Sequence, residues 1–359
     1  MFLGWLDYGI IVSYLLGMLG FGVLLARRRR TAEEYFLANR QMPWFVVGVS
    51  VVASMISSIT YLSEPGEIWK SGVTHVLGKV AGIPIAIVVV WGFCIPFMMR
   101  FRFTSAYEYL GYRFGRAAQR LGAVLFVTVV VLWMAIVVLV LSQVVHRLAG
   151  IPLVAVILTV GAVATAYTVL GGLRAVIWTD LIQVSLLTLG AIVTIGYICW
   201  TTNSWLPDWL NVTDQYVSRV GRTGALPIFS WDPTVRATVV TVAINMAVWH
   251  ICIHSSNQMT VQRYFSTNDV VAARRSFVVS AALQLAISLI LVAVGLAVMY
   301  YYVGMGQPID GQLDPERHRD LIFPMFAGHR LPMGAAGGML AALLAAAMSS
   351  VDSGLNSFA

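Results

Sequence analysis

The amino-acid sequence predicts an all-α polytopic membrane protein, and two observations support this fold class. Of the 359 residues, 59% are hydrophobic and only 11% are charged, and the mean hydropathy is +0.81, which is more apolar than a soluble domain of this length. The apolar residues also form long runs, and about 20 such residues cross a bilayer as one helix. The lipid bilayer is therefore the first partner that the sequence implies.

Nine runs of spanning length follow one another along the chain. They lie at about 6–27, 43–68, 77–100, 121–149, 152–171, 175–200, 236–259, 275–303 and 334–358. A helix satisfies all its backbone hydrogen bonds internally, which is why such runs cross lipid as helices. An odd number of spans places the two termini on opposite sides of the membrane.

Basic residues predict the orientation. They cluster in the loops after spans one, three, five and seven, whereas the opposite loops hold fewer of them. The clustered residues are Arg27 to Arg30, Arg40, Arg100, Arg102, Arg113, Arg116, Arg120, Arg174, Arg263, Arg274 and Arg275. The positive-inside rule places the N-terminus outside, in what we expect to be a bacterial inner (plasma) membrane. Topology thus explains the net charge of +7, and no nucleic-acid partner is expected.

Span two carries an unusual density of hydroxyl groups. Six Ser and Thr residues lie between Ser50 and Ser63, and the pair Pro65-Gly66 follows them. A single hydroxyl can bond back to the carbonyl four residues earlier. So many hydroxyls ahead of a helix breaker favour a helix that is interrupted or that lines a cavity.

Spans six and seven hold polar candidates. Gly171-Gly172 predicts a tight inside turn, after which Asp180 and Gln183 lie about one turn apart on one helix face. Asp180 is either a functional intramembrane carboxylate or an acid that favours the helix N-terminus. His250 and His254 share a face of span seven and favour a polar cavity wall, because no further metal ligands lie at suitable spacing.

Span nine ends in a cluster of oxygen-bearing residues. Gly, Ala, Leu and Met fill it from residue 334, and then Ser349, Ser350, Asp352 and Ser353 crowd together. An Asp at the centre of a bilayer costs about 2.5–3.5 kcal/mol on insertion scales. Tight packing around a positive ligand explains both features, and the candidate is Na⁺, a hard cation that takes oxygen ligands.

Four segments in register resemble the sodium:solute symporter family, which includes sodium-coupled transporters of sugars, proline, monocarboxylates, vitamins and iodide. The segments are SVVASMISS (50–58), GGLRAVIWTDLIQ (171–183), NQMTVQRY (257–264) and LAAAMSSVDSGLNS (344–357). The local patterns SEPGEIW and NQMTVQRY look more like the iodide, monocarboxylate and vitamin branch than the sugar branch.

The resemblance implies a leucine-transporter-like fold, in which one extra N-terminal helix precedes two inverted five-helix repeats. The chain, 1–359, would form a single transmembrane domain. Its extra helix would lie at about 6–27, its first repeat at about 43–200 and a partial second repeat at about 236–359. We expect the fold to be incomplete here, with the last two helices of the second repeat beyond this sequence.

The resemblance also implies a sodium site between spans two and nine. Its ligands would be the backbone carbonyls of Ala53, Ile56 and Ala346 and the hydroxyls of Ser349 and Ser350. Carbonyls freed by a helix break, together with two hydroxyls, form a neutral oxygen cage that is weak enough to release its ion.

Some family members carry a second sodium site near the acid that matches Asp180. It uses small hydroxyl residues one turn past the serine pair, and those positions here are Asp352 and Ser353. Asp352 is an acid where the family has a hydroxyl. It would either strengthen cation binding or pair with an arginine on the cytoplasmic side.

The positions of the solute ligands in sugar-transporting members correspond to Thr60, Lys79 and His250 here. His254 is a further candidate for solute binding. The sugar-binding pattern has Gln, Glu and Asn or Thr at the three matched positions, so a sugar is not favoured. Lys79 and His250 would favour an anionic solute, unless Lys79 extends to the outer headgroups.

Together these features predict a sodium-coupled secondary active symporter that imports a small solute, with an organic anion as one candidate, by alternating access. The alternatives are a symporter of a sugar or another neutral solute, and a transporter-like sensory domain of a signalling protein. Asp180 and Asp352 could form the carboxylate pair of an intramembrane aspartyl protease. However, Asp352 lies in Ser-Val-Asp-Ser-Gly rather than Gly-x-Gly-Asp, so no enzyme is predicted.

Overall fold

The computed structural model describes residues 3–26, 32–101, 103–220, 228–232, 234–235, 238–310 and 313–358, and every regular element within these ranges is helical. From the N-terminus the helices are α1 (Trp5–Ala26), α2 (Ala32–Leu37), α3 (Trp44–Met55), α4 (Ser58–Ser71), α5 (Thr74–Val89), α6 (Ile95–Met99), α7 (Glu108–Phe114), α8 (Arg116–Ala149), α9 (Leu153–Thr202), α10 (Leu206–Val220), α11 (Val239–Ser256), α12 (Gln258–Phe265), α13 (Val270–Met299), α14 (Arg319–Arg330) and α15 (Ala335–Ser357). A 3₁₀ turn lies at Ala38–Arg40, and π-helical turns lie at Val90–Cys94 and Tyr300–Gly304.

Within the described residues, seven helices are long and apolar enough to cross a membrane, and the bent pair α3–α4 makes eight. The longest helix, α9, contains the predicted spans five and six. Gly172 interrupts it with the non-helical angles φ 59° and ψ −169°, where a tight turn was predicted. Counting the two arms of α9 separately gives the nine predicted spans.

The helices α3 and α4 form one interrupted span. They are bent by 68° relative to each other, and the break lies at Ile56 and Ser57, which both have extended backbone. The predicted interruption of span two is therefore confirmed, and Pro65 and Gly66 do not form it, because they lie inside α4. Gly66 allows a close contact instead, since a Cβ atom there would lie 2.6 Å from a carboxylate oxygen of Asp320.

A second interruption separates α11 from α12. Asn257 lies between them with extended backbone, and its side chain accepts a hydrogen bond from the backbone N–H of Met259 at 2.9 Å. Neither Pro nor Gly marks this break in the sequence, so one continuous span was predicted here. The side-chain cap of Asn257 supplies the physical reason for the new helix start.

Helix α15 lies at the centre of the bundle. It packs against α9, α1, α8 and α3, and nearly all of its residues are buried. Its Ala and Gly residues allow this close approach, because helices in lipid associate through van der Waals packing of small residues. The outer faces of α8 and α9 carry exposed Val, Leu and Ile side chains, as expected of surfaces that contact lipid.

The N-terminal helix α1 is part of this bundle, because it packs against both α9 and α15. The shorter helix α14 lies against α4, and α10 lies against α13. Among the basic residues that predict the orientation, Arg27 to Arg30 and Arg102 lie outside the described residues.

Candidate functional site

The break between α3 and α4 frees backbone carbonyls inside the bundle. The backbone N–H of Ile56 still donates to the carbonyl of Val52 at 2.9 Å, but Ile56 then adopts φ −94° and ψ 110°. The last carbonyls of a helix have no donor from a following turn, and those of Ala53 and Ile56 are in this position. Their oxygens are therefore available to another positive partner.

A small cavity lies between this helix end and α15, and four of the five predicted sodium ligands line it. The lining residues are Ala53, Ile56, Gln183, Val184, Leu187, Ile287, Ala346 and Ser349. The cavity volume of about 10 Å³ is close to the space needed by one water-sized particle. Gln183 was not assigned to this site from the sequence. Its Oε1 is buried without a hydrogen-bond partner, so it offers a further oxygen.

The serine pair of α15 makes two different contacts. The hydroxyl of Ser349 donates to Oδ1 of Asp180 at 2.7 Å, and the hydroxyl of Ser350 donates to the carbonyl of Ala346 at 3.2 Å. Ser350 is the one predicted ligand that does not line the small cavity. A hydroxyl that donates one hydrogen bond keeps its lone pairs, so both oxygens can still face a cation.

Several residues around the small cavity carry oxygens of the kind that Na⁺ takes. Carbonyl, hydroxyl and amide oxygens are the hard ligands that hard cations take. Those of Ala53, Ile56, Ala346, Ser349 and Gln183 are uncharged, as suits an ion that must be released again. The unpartnered Oε1 of Gln183 would be satisfied by such an ion.

A fully buried ion pair lies beside the small cavity. Nη2 of Arg263 lies 3.0 Å from Oδ2 of Asp180, and both side chains are at most 1% exposed. Arg263 also donates to the hydroxyls of Ser50 and Ser353, each at 2.6 Å, and to a backbone carbonyl. Asp180 accepts from the hydroxyls of Ser50 and Ser349 as well. Both charges are thus hydrogen-bonded, as a buried pair requires.

Asp352 lies in the same network, but Arg263 pairs with Asp180 rather than with Asp352. The carboxylate of Asp352 accepts from the hydroxyl of Tyr167 at 2.6 Å and from that of Ser353 at 3.3 Å. Ser353 in turn accepts from Arg263. The structure therefore brings the three second-site candidates, Asp180, Asp352 and Ser353, into one connected cluster.

A larger cavity of about 270 Å³ adjoins the small one, and Ile56 and Ile287 line both. Three of the four predicted solute residues, Thr60, Lys79 and His250, are among its walls. The other lining residues are Met55, Ile56, Glu64, His75, Ile83, Trp133, Met246, Trp249, Gln284, Leu285, Ile287, Ser288 and Leu291. We call this the solute pocket below.

The charge of Lys79 is balanced inside the solute pocket. Its ammonium forms an ion pair with Glu64, and the second carboxylate oxygen of Glu64 accepts from the hydroxyl of Ser288 at 3.4 Å. The Lys79 side chain is mostly buried and ends at Glu64, which does not fit an extension to the outer headgroups. Glu64 would compete with an anionic solute for the ammonium, and the role of Lys79 in binding an anion stays a prediction. Glu64 was missed because it lies 15 residues from Lys79 in the sequence, on a different helix.

His254 lies beyond the wall of the solute pocket. Its Nδ1 lies 2.6 Å from the hydroxyl oxygen of Tyr264, and its ring stacks on that of His250 with the centroids 5.7 Å apart. Of the two histidines predicted to form a polar cavity wall, His250 lines the solute pocket, and His254 stacks behind it. Among the described residues, no group of three or more His, Cys, Asp and Glu side chains is placed to hold a metal ion.

Gln284 of α13 is a further polar wall of the solute pocket that was not predicted. Its Oε1 is buried without a hydrogen-bond partner. The available signal was a lone amide in the otherwise apolar span eight, and such a residue in a membrane helix is a functional candidate by default. Gln284 can therefore accept a hydrogen bond from a bound solute.

A broken helix whose freed carbonyls lie beside a buried polar cluster, next to a larger pocket with polar walls, is typical of an ion-coupled membrane transporter. The chain belongs to the sodium:solute symporter family, whose model matches residues 35–359.

The chain is similar to relatives and to a solved structure over nearly its whole length. It is 30% identical to the sodium/sialic acid symporter of Aliivibrio fischeri over 99% of this chain and 68% of that protein. It is 31% identical to the sodium-dependent multivitamin transporter of Oryctolagus cuniculus over 98% of this chain and 55% of that protein. A solved structure of a Na⁺-coupled sialic acid symporter, in a substrate-bound outward-open state with a novel Na⁺ site, matches with a TM-score of 0.89 and 30% identity over 99% of this chain and 72% of that one.

These similarities confirm the all-helical, leucine-transporter-like fold and the assignment to a family of transporters rather than enzymes. They do not support the expected preference for the iodide, monocarboxylate and vitamin branch. The sialic acid and multivitamin relatives are about equally similar to this chain.

Proposed function

We propose that this protein imports a small organic solute together with Na⁺ by alternating access. One observation carries the proposal: Ile56, at the break between α3 and α4, lines both the small oxygen cavity and the solute pocket. A cation that draws the carbonyls of Ala53 and Ile56 toward α15 would fix one wall of the pocket. Solute binding and ion binding would then be coupled through the same helix end.

The first sodium ion would be held by Ala53, Ile56, Ala346, Ser349 and Ser350, with Gln183 as an additional oxygen donor. The support is the shared cavity, the helix break and the unpartnered Oε1 of Gln183. For Ser350 the support is its position next to Ser349 and its contact with the carbonyl of Ala346.

A second sodium ion would lie near Asp180, Asp352 and Ser353. The support is the connected cluster of these residues and the novel Na⁺ site of the solved sialic acid symporter. Two carboxylates close to a single guanidinium leave an excess negative charge when both are ionised, and a cation would balance it. Asp352 would then strengthen cation binding.

The solute would be a small organic anion. Sialic acid, the solute in the names of similar proteins, is an acid, and the pocket of about 270 Å³ suits a small molecule. A solute carboxylate could approach the Lys79 ammonium, while Thr60, His250 and Gln284 would hydrogen-bond to other polar groups.

A neutral polar solute is the second candidate, and the pairing of Lys79 with Glu64 favours it. The substitution Glu64→Gln distinguishes the two candidate solutes, because it removes the carboxylate that competes with an anion for Lys79. We expect tighter binding of an anionic solute by this variant, whereas a neutral solute would bind with equal or lower affinity. Thermal-shift titrations of an acidic sugar and of a neutral N-acetylated hexosamine, in NaCl and in KCl, would make the comparison.

The domain organisation belongs to the same proposal. The chain would form one transporter domain, with α1 as the extra helix, α3 to α9 as the first repeat and α11 to α15 as part of the second. The two broken helices, α3–α4 and α11–α12, support this pairing, because inverted repeats place their discontinuous helices at corresponding positions. The N-terminus would lie outside, in a bacterial inner membrane.

The direct test is uptake of labelled solute into proteoliposomes that contain the full-length protein. We expect uptake above equilibrium when Na⁺ is high outside, and none when K⁺ replaces Na⁺ at the same ionic strength. Equal uptake in both salts would refute sodium coupling.

A further inference from the structure

Helix α1 carries a buried acid that the proposed transport mechanism does not use. Asp7 is 1% exposed, although its neighbour Trp5 is 81% exposed. Oδ1 of Asp7 accepts hydrogen bonds from the backbone N–H groups of Gly334 and Gly337, each at 2.7 Å. Its Oδ2 accepts from the backbone N–H of Gly4 at 2.8 Å.

These contacts cap helix α15 from another helix. Gly334 is the N-terminal cap residue of α15 and has no side chain to serve its first turn. The first N–H groups of a helix need acceptors, and a carboxylate at that end also interacts favourably with the helix dipole. Asp7 provides both functions for the helix that carries Ala346, Ser349 and Ser350.

The contact between α1 and α15 is close. A Cβ atom added to Gly337 would lie 2.5 Å from Cα and 2.8 Å from the backbone oxygen of Asp7. The adjacent Gly338 is on another side of α15, where an added Cβ atom would have no neighbour within 4 Å. A methyl group at residue 337 must therefore displace α15 from α1, whereas one at residue 338 need not.

Two further contacts connect α1 to the candidate sodium sites. The side-chain nitrogen of Gln183 lies 3.4 Å from the hydroxyl of Tyr14, and a Cβ atom at Gly22 would lie 2.9 Å from Cα of Tyr167. Tyr167 donates to Asp352. Helix α1 thus contacts α15 directly through Asp7, and it contacts Gln183 and Tyr167, which lie at the candidate sodium sites.

We propose that Asp7 is a positioning residue for the sodium site, because it fixes the end of α15 and thereby the height of Ala346 and Ser349 relative to the broken end of α3. The inference rests on the proposed sodium coupling. Ser349 follows Gly337 by about 18 Å along the helix, and a packed helix moves as a unit. A displacement at the cap would therefore change the spacing of the oxygens in the small cavity.

The test compares Gly337→Ala with Gly338→Ala in the full-length protein, together with Asp7→Asn. Two quantities are measured as functions of Na⁺ concentration at constant ionic strength: the melting temperature in detergent and the initial rate of solute uptake. We expect the half-saturating Na⁺ concentration to rise about fivefold or more in Gly337→Ala and by a smaller factor, about twofold, in Asp7→Asn. In Gly338→Ala it should match the unmodified protein.

Asp7→Asn serves as the milder variant, because an amide oxygen can still accept from Gly334 and Gly337. If both test variants lower the melting temperature without changing the half-saturating Na⁺ concentration, Asp7 has only a structural role and the inference is overturned. If the unmodified protein itself shows no response to Na⁺, the proposed function fails and the inference fails with it. A shift in Gly338→Ala equal to that in Gly337→Ala would also contradict the inference, since only the latter meets α1.

Discussion

The buried ion pair between Arg263 and Asp180 gives a prediction whose size can be worked out from the structure. The two charges are 3.0 Å apart and shielded from water. Their attraction at that distance is about 5–6 kcal/mol for an effective dielectric constant of 20. Removing one member of such a pair strands the other, at a cost of about 3–5 kcal/mol. We therefore expect Arg263→Met and Asp180→Asn each to lower the free energy of unfolding by about this amount.

The double variant should be much less destabilised than the sum of the two single variants. It removes both members of the pair, and the remaining buried carboxylate, that of Asp352, keeps its hydrogen bonds from Tyr167 and Ser353. We expect a coupling energy of at least about 2 kcal/mol from the double-mutant cycle. The assay is reversible unfolding of the full-length protein by SDS in mixed detergent micelles, with the unfolding free energies compared at one detergent composition.

A surface pair supplies the control for this cycle. Arg317 and Asp314 are 3.7 Å apart, and the Arg317 side chain is 84% exposed. Exposed pairs contribute little, so Arg317→Met should change the unfolding free energy by no more than about 0.5 kcal/mol. Single-variant costs at residues 263 and 180 that simply add, within about 0.5 kcal/mol, would refute the buried pairing.

Two other predictions concern positions away from the cavities. Gly172→Ala should destabilise the protein by about 1–3 kcal/mol in the same unfolding assay. Gly172 has φ +59° in a region nearly restricted to glycine, and a Cβ atom there would lie 2.8 Å from the ring of Tyr35. The control is Gly196→Ala, where a Cβ atom meets nothing within 4 Å, and equal effects of the two substitutions would contradict the strain argument. Desolvation of the half-exposed Asp320 carboxyl, together with the nearby charge of Glu67, raises its pKa against the opposing charge of Arg319. The folded state therefore holds this proton more tightly, and stability falls as the pH rises through the window between the unfolded and folded pKa values. Asp320→Asn should therefore raise the melting temperature at pH 7 and lose that advantage near pH 4, and an advantage that persists at low pH would contradict this assignment.

The course of the chain through the membrane could be predicted because apolar run length is a local property. Each span is predicted by the apolar residues that it contains, and the bend at Gly172 is predicted by a pair of glycines. The hydroxyl density of span two indicates an interruption but not the residue at which the helix ends, which the structure places at Ile56. The break at Asn257 depends on a single side-chain cap, which has few features to distinguish it in a sequence.

Side-chain pairing across helices could not be predicted in the same way. The sequence places Arg263 among the basic loop residues that predict the orientation, yet its side chain is among the most completely buried. Its partner Asp180 lies 83 residues away, and nothing local to either residue specifies the contact. Likewise, the sequence gives no sign that Lys79 pairs with Glu64, since the two residues lie on different helices. The helix break and the serine pair are local features, and the sodium ligands assigned to them stay a prediction.

The central claim is that Ser349 helps to hold a sodium ion that drives transport. The measurement that tests it most directly is the half-saturating Na⁺ concentration for solute uptake by proteoliposomes that contain full-length Ser349→Ala. The matched control is Ser185→Ala, whose exposed hydroxyl bonds only to the carbonyl of Leu181 on its own helix. We expect a rise of about tenfold in Ser349→Ala, corresponding to the loss of about 1.4 kcal/mol of binding energy, and no change in the control. An unchanged Na⁺ requirement in a folded Ser349→Ala protein would contradict it.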